Sequence, residues 1–263
     1  MDITRIEKAA KYIYDCRINN RIFHSIPKEC IPEKEEDSYL IQKRLHKLLD
    51  EKNKDKVIGR KIGCTTPVMQ NYLDIKTPCA GRIRSKSCLK SNTEIPFENF
   101  NRVGVECEVA ISLSSDLYCK KNISEECLYN SIDKVIVAIE IVDDRYLNWK
   151  TLGAKQLISD DFFGSGCVLG DFVSINDIKN LKKIRGFMYI NGKKVGSGMG
   201  VDIMGDPILA LEWIVGRKDV IGDFLPSGSV VLLGSLVQTK WLNKGDEVKI
   251  FIDKIGESRA IFF

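Results

Sequence analysis

The stretch KVIVAIEIVDD, Lys134 to Asp144, sets one glutamate, Glu140, inside a run of valine, isoleucine and alanine. The run is short and rich in β-branched residues, so it predicts a buried strand rather than a helix. A carboxylate buried there without a partner is strongly unfavourable unless it takes up a proton. A positive partner is therefore expected beside Glu140.

A second strand candidate lies upstream, GVECEVAISLS from Gly104 to Ser114. Glu106 and Glu108 are two apart, so on a strand they share one face while Cys107 takes the other. Neighbouring carboxylates repel unless a cation or a proton stands between them. With Glu140 added, three oxygen donors can converge. That set suits Mg²⁺ or Mn²⁺, with waters or a substrate completing about six positions. The residues alone leave a plainer alternative open: an exposed E-x-E on an edge strand, and a Glu140 paired with a lysine or arginine.

Further strands surround these two. KVIGRKIGC, Lys56 to Cys64, is short and bracketed by glycine. GFMYINGKKVGSGMG carries Asn191-Gly192 between apolar runs, the two-residue hairpin signal. Its glycines lack the strand–loop–helix order and the Lys-Ser/Thr of a phosphate loop. GSVVLLGSLVQTKWLNKGDEVKIFID closes the chain with strands split by turns. Helices are expected over Ser124–Ser131 and over DPILALEWIVG, which Asp206 and Pro207 open.

The first third has a different character. Thr4 and Glu7 fit a capping box opening a helix through about Asn19. Pro27 and Pro32 mark a loop. Asp37 or Ser38 then caps a second helix, with Leu40, Ile41, Leu45, Leu48 and Leu49 at helical spacing. His46 falls on the polar side of that pattern and is expected to be solvated; His24 lies in the loop. Clustered strands with helices set aside predict an α+β fold with a mixed sheet, not βαβ winding. The expected division is a helical N-terminal region over 1–55 and a β-rich core over 56–263.

Composition narrows the function classes. The chain has 263 residues, enough for a sizeable core, and 44% apolar against 29% charged residues is an ordinary soluble balance. The net charge of +4 comes from lysines scattered among acids, so nucleic-acid binding is not indicated. MDITRIEKAAKYIYD lacks the apolar core of a signal peptide, and no run approaches the roughly 20 apolar residues of a membrane helix. Nine cysteines without a CxxC pair point to reduced thiols and a cytoplasmic location. With only two histidines, a zinc site is not expected.

GRKIGCTT, VECEVAISL, AIEIVDDRYLNWK, GSGCVLG, INGKKVGSGMGVDIMGDPILALEWI and GSLVQTKWLNKGDEV occur in an order and spacing that resembles a known family. The chain is similar to the 2-hydroxypenta-2,4-dienoate (2-keto-4-pentenoate) hydratases and the 4-oxalocrotonate decarboxylases of the fumarylacetoacetate-hydrolase-like superfamily. The resemblance runs over nearly the whole chain. It implies a mixed β-sheet roll or barrel core of the fumarylacetoacetate-hydrolase type with a helical N-terminal region. It also implies that Glu106, Glu108 and Glu140 hold Mg²⁺ or Mn²⁺, which would explain a charged Glu140 in an apolar strand. Lys61, matching the family's lysine, and Cys79 are the implied catalytic residues. Asp160, Phe163, Ser165 and Ser235 are the implied substrate-binding residues.

The implied chemistry is hydration or decarboxylation of a 2-oxo acid or its dienol. The ion acts as a Lewis acid on the keto oxygen and stabilises a dienolate. The resemblance further implies a homo-oligomer or a paired hydratase/decarboxylase complex. Three segments depart from the family. TPCAGR puts Cys79 and Ala80 where an acid and an aromatic residue are usual. DDFFGSG puts Phe162, Phe163 and Gly164 where small or hydroxyl residues are usual, with Ser165 one place out of register. GDP puts Asp206 where histidine is common. An altered substrate is therefore expected. The alternatives are a related isomerase or lyase of a specialised pathway, and a catalytically silent homologue that binds a partner subunit.

Overall fold

The computed structural model describes residues 1–53, 55–178 and 180–263, with the side chains of 52 and 53 left aside. Its helices are α1 (Ile3–Ile18), α2 (Glu35–Asn53), α3 (Pro67–Tyr72), α4 (Glu125–Ser131), α5 (Gly153–Ser159), α6 (Pro207–Val215) and α7 (Lys218–Ile221). Its strands are β1 (Val57–Gly63), β2 (Cys79–Arg84), β3 (Cys88–Lys90), β4 (Thr93–Ile95), β5 (Val103–Leu113), β6 (Leu117–Tyr118), β7 (Ile132–Asp143), β8 (Gly164–Ser174), β9 (Arg185–Ile190), β10 (Lys193–Met199), β11 (Phe224–Leu225), β12 (Val230–Ser235), β13 (Lys240–Trp241), β14 (Asp246–Ile252) and β15 (Gly256–Phe262).

The expected mixed sheet is present. Eight strands run in the order β2-β1-β12-β5-β7-β8-β3, with β13 also paired to β5. β1 with β12 and β3 with β8 are parallel; the other pairs in this sheet are antiparallel. The sheet curls. Gly81 on β2 and Gly164 at the start of β8 are separated by four strands, yet side chains built at either glycine would meet the Cε of Lys61, at 3.0 and 3.3 Å. The concave interior is filled by Ile83, Ala110, Ile136, Ala138, Cys167, Val230 and Leu232. The convex face joins a larger core, to which β5 contributes Val105, Cys107, Val109 and Ile111. β5 and β7 are thus covered on both sides, which is why both read as near-continuous apolar runs.

A second sheet runs β10-β9-β14-β15-β4. Its hairpin turns at Asn191-Gly192, where φ is 51° and 74°, the paired positive values that a type I′ turn requires.

The N-terminal helices differ from the expected pattern in detail. Asp2, not Thr4, caps α1, its carboxylate accepting from the Arg5 N–H at 2.9 Å. α2 starts at Glu35, ahead of both expected caps, because Glu35, Glu36 and Asp37 complement the dipole of its first turn. Asp37 instead pairs with the N-terminal ammonium at 2.9 Å. The buried face of α2 is also rotated. Leu40 is 46% exposed, while Gln42 and His46 are buried at 1% and 2%. These polar side chains latch the helix to the sheet. The Gln42 amide donates to Ala80 O and Ile158 O at 2.9 and 2.8 Å, and Tyr39 OH accepts from Ala80 N–H.

All nine cysteines are unbridged. Among the described residues no helix is long and apolar enough to cross a membrane.

Candidate metal centre and its surroundings

Antiparallel pairing sets Glu106 directly opposite Glu140, and Glu108 follows Glu106 on the same face of β5. One oxygen from each of the three carboxylates lies within 4.8 Å of the others. Glu108 and Glu140 are buried, while Glu106 is partly open. The Gly234 N–H donates to Glu108 Oε2 at 2.9 Å, and the Thr239 hydroxyl donates to Glu106. Burial, and then the charge of Glu140, pushes the Glu106 carboxyl up to about 7. The same causes push Glu108 well above the usual carboxylate range.

Lys61 is the cation beside this group. Burial alone would favour losing its proton, but Glu140, then Cys79 and Glu106, hold its ammonium above the ordinary lysine range. Its Nζ stands 3.0 Å from Glu140 Oε1, yet it donates to the carbonyl of Phe162 at 2.7 Å. Among the described residues Glu140 Oε1, which is buried, has no hydrogen-bond partner. The ion pair is therefore close but poorly aligned, and it leaves an acceptor oxygen free. Three hard oxygen donors with one orphaned lone pair fit a divalent cation of the Mg²⁺, Mn²⁺ or Ca²⁺ kind. Room for the lysine stem comes from Gly81 and Gly164, where any Cβ would also press on Asp161 O at 2.8 and 2.9 Å.

The Phe162 carbonyl is aimed by an unusual turn. Asp161, Phe162 and Phe163 have φ of 57°, 48° and 64°, three consecutive non-glycine residues in the left-handed region. Each costs roughly 1–2 kcal/mol. Surrounding contacts hold the turn. Asp160 accepts from Arg17 Nε at 2.6 Å, and from Arg145 Nε and Tyr146 OH at 2.8 Å each. Asp161 accepts from Arg17, His46 and the Arg82 N–H. The Phe162 ring lies 5.5 Å from Lys61 Nζ, and Phe163 packs edge-on against Phe162, Tyr146 and Trp149.

The remaining expected site residues fall in different surroundings. Cys79 is fully buried, its Sγ 3.8 Å from that of Cys64, and burial pushes its thiol well up. Both oxygens of Asp160 are engaged by protein donors. Ser165 lines a cavity with several arginines. Ser235 donates to Val237 O at 2.7 Å. Asp206 caps α6 and faces Lys182.

The family model for the fumarylacetoacetate hydrolase C-terminal domain matches residues 73–262, most of this chain. The chain belongs to the fumarylacetoacetate hydrolase family. It is 26% identical to a 2-keto-4-pentenoate hydratase of Paraburkholderia phymatum, over 99% of this chain and 98% of that one. It is 26% identical to the 2-oxo-hept-4-ene-1,7-dioate hydratase of Escherichia coli over 86% of each chain. Against a 4-oxalocrotonate decarboxylase of Pseudomonas putida it is 20% identical over 96% and 95%. The solved structure of the 4-oxalocrotonate decarboxylase from Pseudomonas putida G7, complexed with magnesium and adipate, matches the whole chain and 99% of its own length with a TM-score of 0.93 at 18% identity. The roll-type fold expected from the sequence is thus the family fold.

Within this family member, several site features carry no distinctive mark in the sequence. Gly234 and Thr239, which orient two of the carboxylates, sit in GSLVQTKW without a distinctive signal of that role. The left-handed turn carries no glycine or asparagine at its three positions. His46, expected on the solvated side of α2, is buried against Asp161 because α2 lies on β2 at this point.

Proposed function

We propose that this protein is a divalent-metal-dependent lyase that hydrates or decarboxylates a 2-oxo acid or its dienol. The observation that carries the proposal is the convergence of Glu106, Glu108 and Glu140 beside Lys61, with Glu140 Oε1 left without a hydrogen bond. Relatives along nearly the full chain bear the names of hydratases and a decarboxylase for such compounds. Mg²⁺ or Mn²⁺ held by the three carboxylates would supply Lewis-acid stabilisation of a developing enolate oxygen.

The chain's own residues supply the rest. An ammonium has three hydrogens. One is given to Phe162 O, and the contact with Glu140 is an ion pair without hydrogen-bond alignment, which leaves hydrogens for a substrate carboxylate or enolate oxygen. Cys79, a buried thiol held well above its ordinary range, stands in place of an ionised shuttle and is a weak acid there, so it supplies little proton transfer. Phe162 occupies room beside Lys61 and excludes water there, which favours a short or slender substrate. Phe163 adds an apolar wall. Asp160, with both oxygens engaged, positions the turn that carries these two rings, and Ser235 remains a candidate substrate contact, whereas Ser165 faces the arginine-lined cavity beyond β2. The protein is expected to work as a cytoplasmic homo-oligomer, which light scattering tests.

A panel of 2-oxo acids and dienols, followed by ultraviolet absorbance with Mg²⁺ and with chelator, tests the reaction. Turnover that appears with Mg²⁺ or Mn²⁺ and vanishes with chelator is expected. Failure of calorimetry to detect binding of either ion would sink the proposal.

A further inference from the structure

A cavity of about 220 Å³ lies on the other side of β2 from Lys61. On that strand Gly81 and Ile83 face the barrel interior, so alternation turns Arg82 and Arg84 outward, toward α1 and α2. Arg17, Arg21 and Arg145 share the cavity wall with them. Three of these arginines are matched. Arg17 binds Asp160 and Asp161, Arg145 binds Asp160, and Arg84 binds Asp50 and Asp55.

Arg82 is not matched. Among the described residues its guanidinium has no hydrogen bond or ion pair, and its Nε is shut off from solvent without an acceptor. The nearest candidate, Asp161, already accepts from the backbone N–H of Arg82 on one oxygen and from Arg17 and His46 on the other. Register adds a second cation. Arg60 stands directly opposite Arg82, is buried, and among the described residues donates to backbone carbonyls alone, Gly59 O and Val220 O. Like charges paired across strands destabilise a sheet, and a buried guanidinium without an acceptor is unfavourable. Arg21, exposed at the rim, likewise shows no ion pair among the described residues.

We infer that this cavity is a binding site for a small oxyanion, a carboxylate or a phosphate, held by Arg82 from the sheet and Arg21 from the rim. A planar guanidinium with free hydrogens matches either oxyanion in a two-point contact. The Ser165 hydroxyl on the wall is a neutral donor suited to a remaining oxygen. The site is separate from the three carboxylates, so it stands whether or not the proposed lyase reaction does.

Calorimetry on the full chain tests this, with inorganic phosphate and succinate as probes, at fixed ionic strength and with chelator present so that no metal can hold an anion. Saturable binding is expected for the wild type and unchanged for Glu108→Gln. Binding should weaken by about 10-fold or more in Arg82→Gln, the usual effect of removing one charge-assisted contact, and measurably in Arg21→Ala. Tighter phosphate than succinate identifies a phosphate site; the reverse identifies a carboxylate site. If Arg82→Gln does not fold, the exposed Arg21→Ala variant decides. Absence of saturable binding by either anion, or wild-type affinity in every folded variant, overturns the inference.

Discussion

His46 accepts a hydrogen bond from Arg84. The Nη1 of Arg84 lies 2.9 Å from Nδ1 of His46, and a guanidinium can only donate. The other ring nitrogen must then carry the hydrogen, which it gives to Asp161 Oδ2 at 2.7 Å. A second ring proton would point straight at Arg84. The imidazole is therefore held neutral, and burial pushes its pKa down to about 4 against the attraction of Asp161.

Stability should follow from that neutrality. Between the ordinary histidine value near 6.5 and about 4, the unfolded chain binds a proton at His46 that the folded chain refuses. Stability from this residue is thus complete above pH 6.5 and is lost as pH falls toward 4, by roughly 3 kcal/mol. Urea denaturation across that range should show a steeper decline for the wild type than for His46→Gln. Parallel declines would show that His46 titrates as it does in the unfolded chain.

Lys61→Met should lose turnover by at least about 10²-fold, because it removes the charge placed beside the reacting group. It should also destabilise the metal-free protein by roughly 3–5 kcal/mol, since Glu140 is left buried without its cation. Added Mg²⁺ should recover part of that loss. Equal melting temperatures for variant and wild type in chelator would refute the ion-pair role.

For the carboxylates, Glu108→Gln keeps shape and hydrogen bonding to the Gly234 N–H while removing a charged oxygen. Mg²⁺ affinity by calorimetry should fall at least about 10-fold. Because the neutral amide also relieves repulsion from Glu106 and Glu140, the metal-free variant should melt no lower than wild type.

Phe163→Ala should cost about 3–5 kcal/mol in urea denaturation, the usual range for deleting a packed ring. It removes ring contacts to Tyr146, Trp149 and Phe162 together. Loss of the neighbouring support should also loosen the left-handed turn, so turnover is expected to fall even though the variant opens space. Undiminished turnover would mean that Phe162 O does not need this packing to hold Lys61.

What could be foreseen in the sequence follows from the range of the forces involved. Glu106 and Glu108 share a face because strands alternate, and that is a local rule. Their meeting with Glu140 needed one register, which the apolar runs on both strands enforce. The position of His46 was not foreseeable in the same way. Its partner Asp161 is 115 residues away, and helical periodicity alone placed it on the wet side. The turn at Asp161–Phe163 is likewise held by Arg17 and Arg145, which come from elsewhere in the chain. One clue to the arginine cavity was present: Arg82 and Arg84, two apart on a strand, necessarily look the same way.

The aromatic contacts also give the molecule an optical property. From the surface inward, Tyr72 touches Trp149, Trp149 touches Phe163, Phe163 touches Phe162, and the Phe162 ring faces Lys61 Nζ, the four steps measuring 5.5, 5.6, 5.5 and 5.5 Å to ring centroids. Of the three tryptophans, Trp213 and Trp241 lie elsewhere, each beside an arginine, Arg217 and Arg102. With those two replaced by phenylalanine, the emission of Trp149 becomes an unlabelled reporter of anything that moves the rings over Lys61.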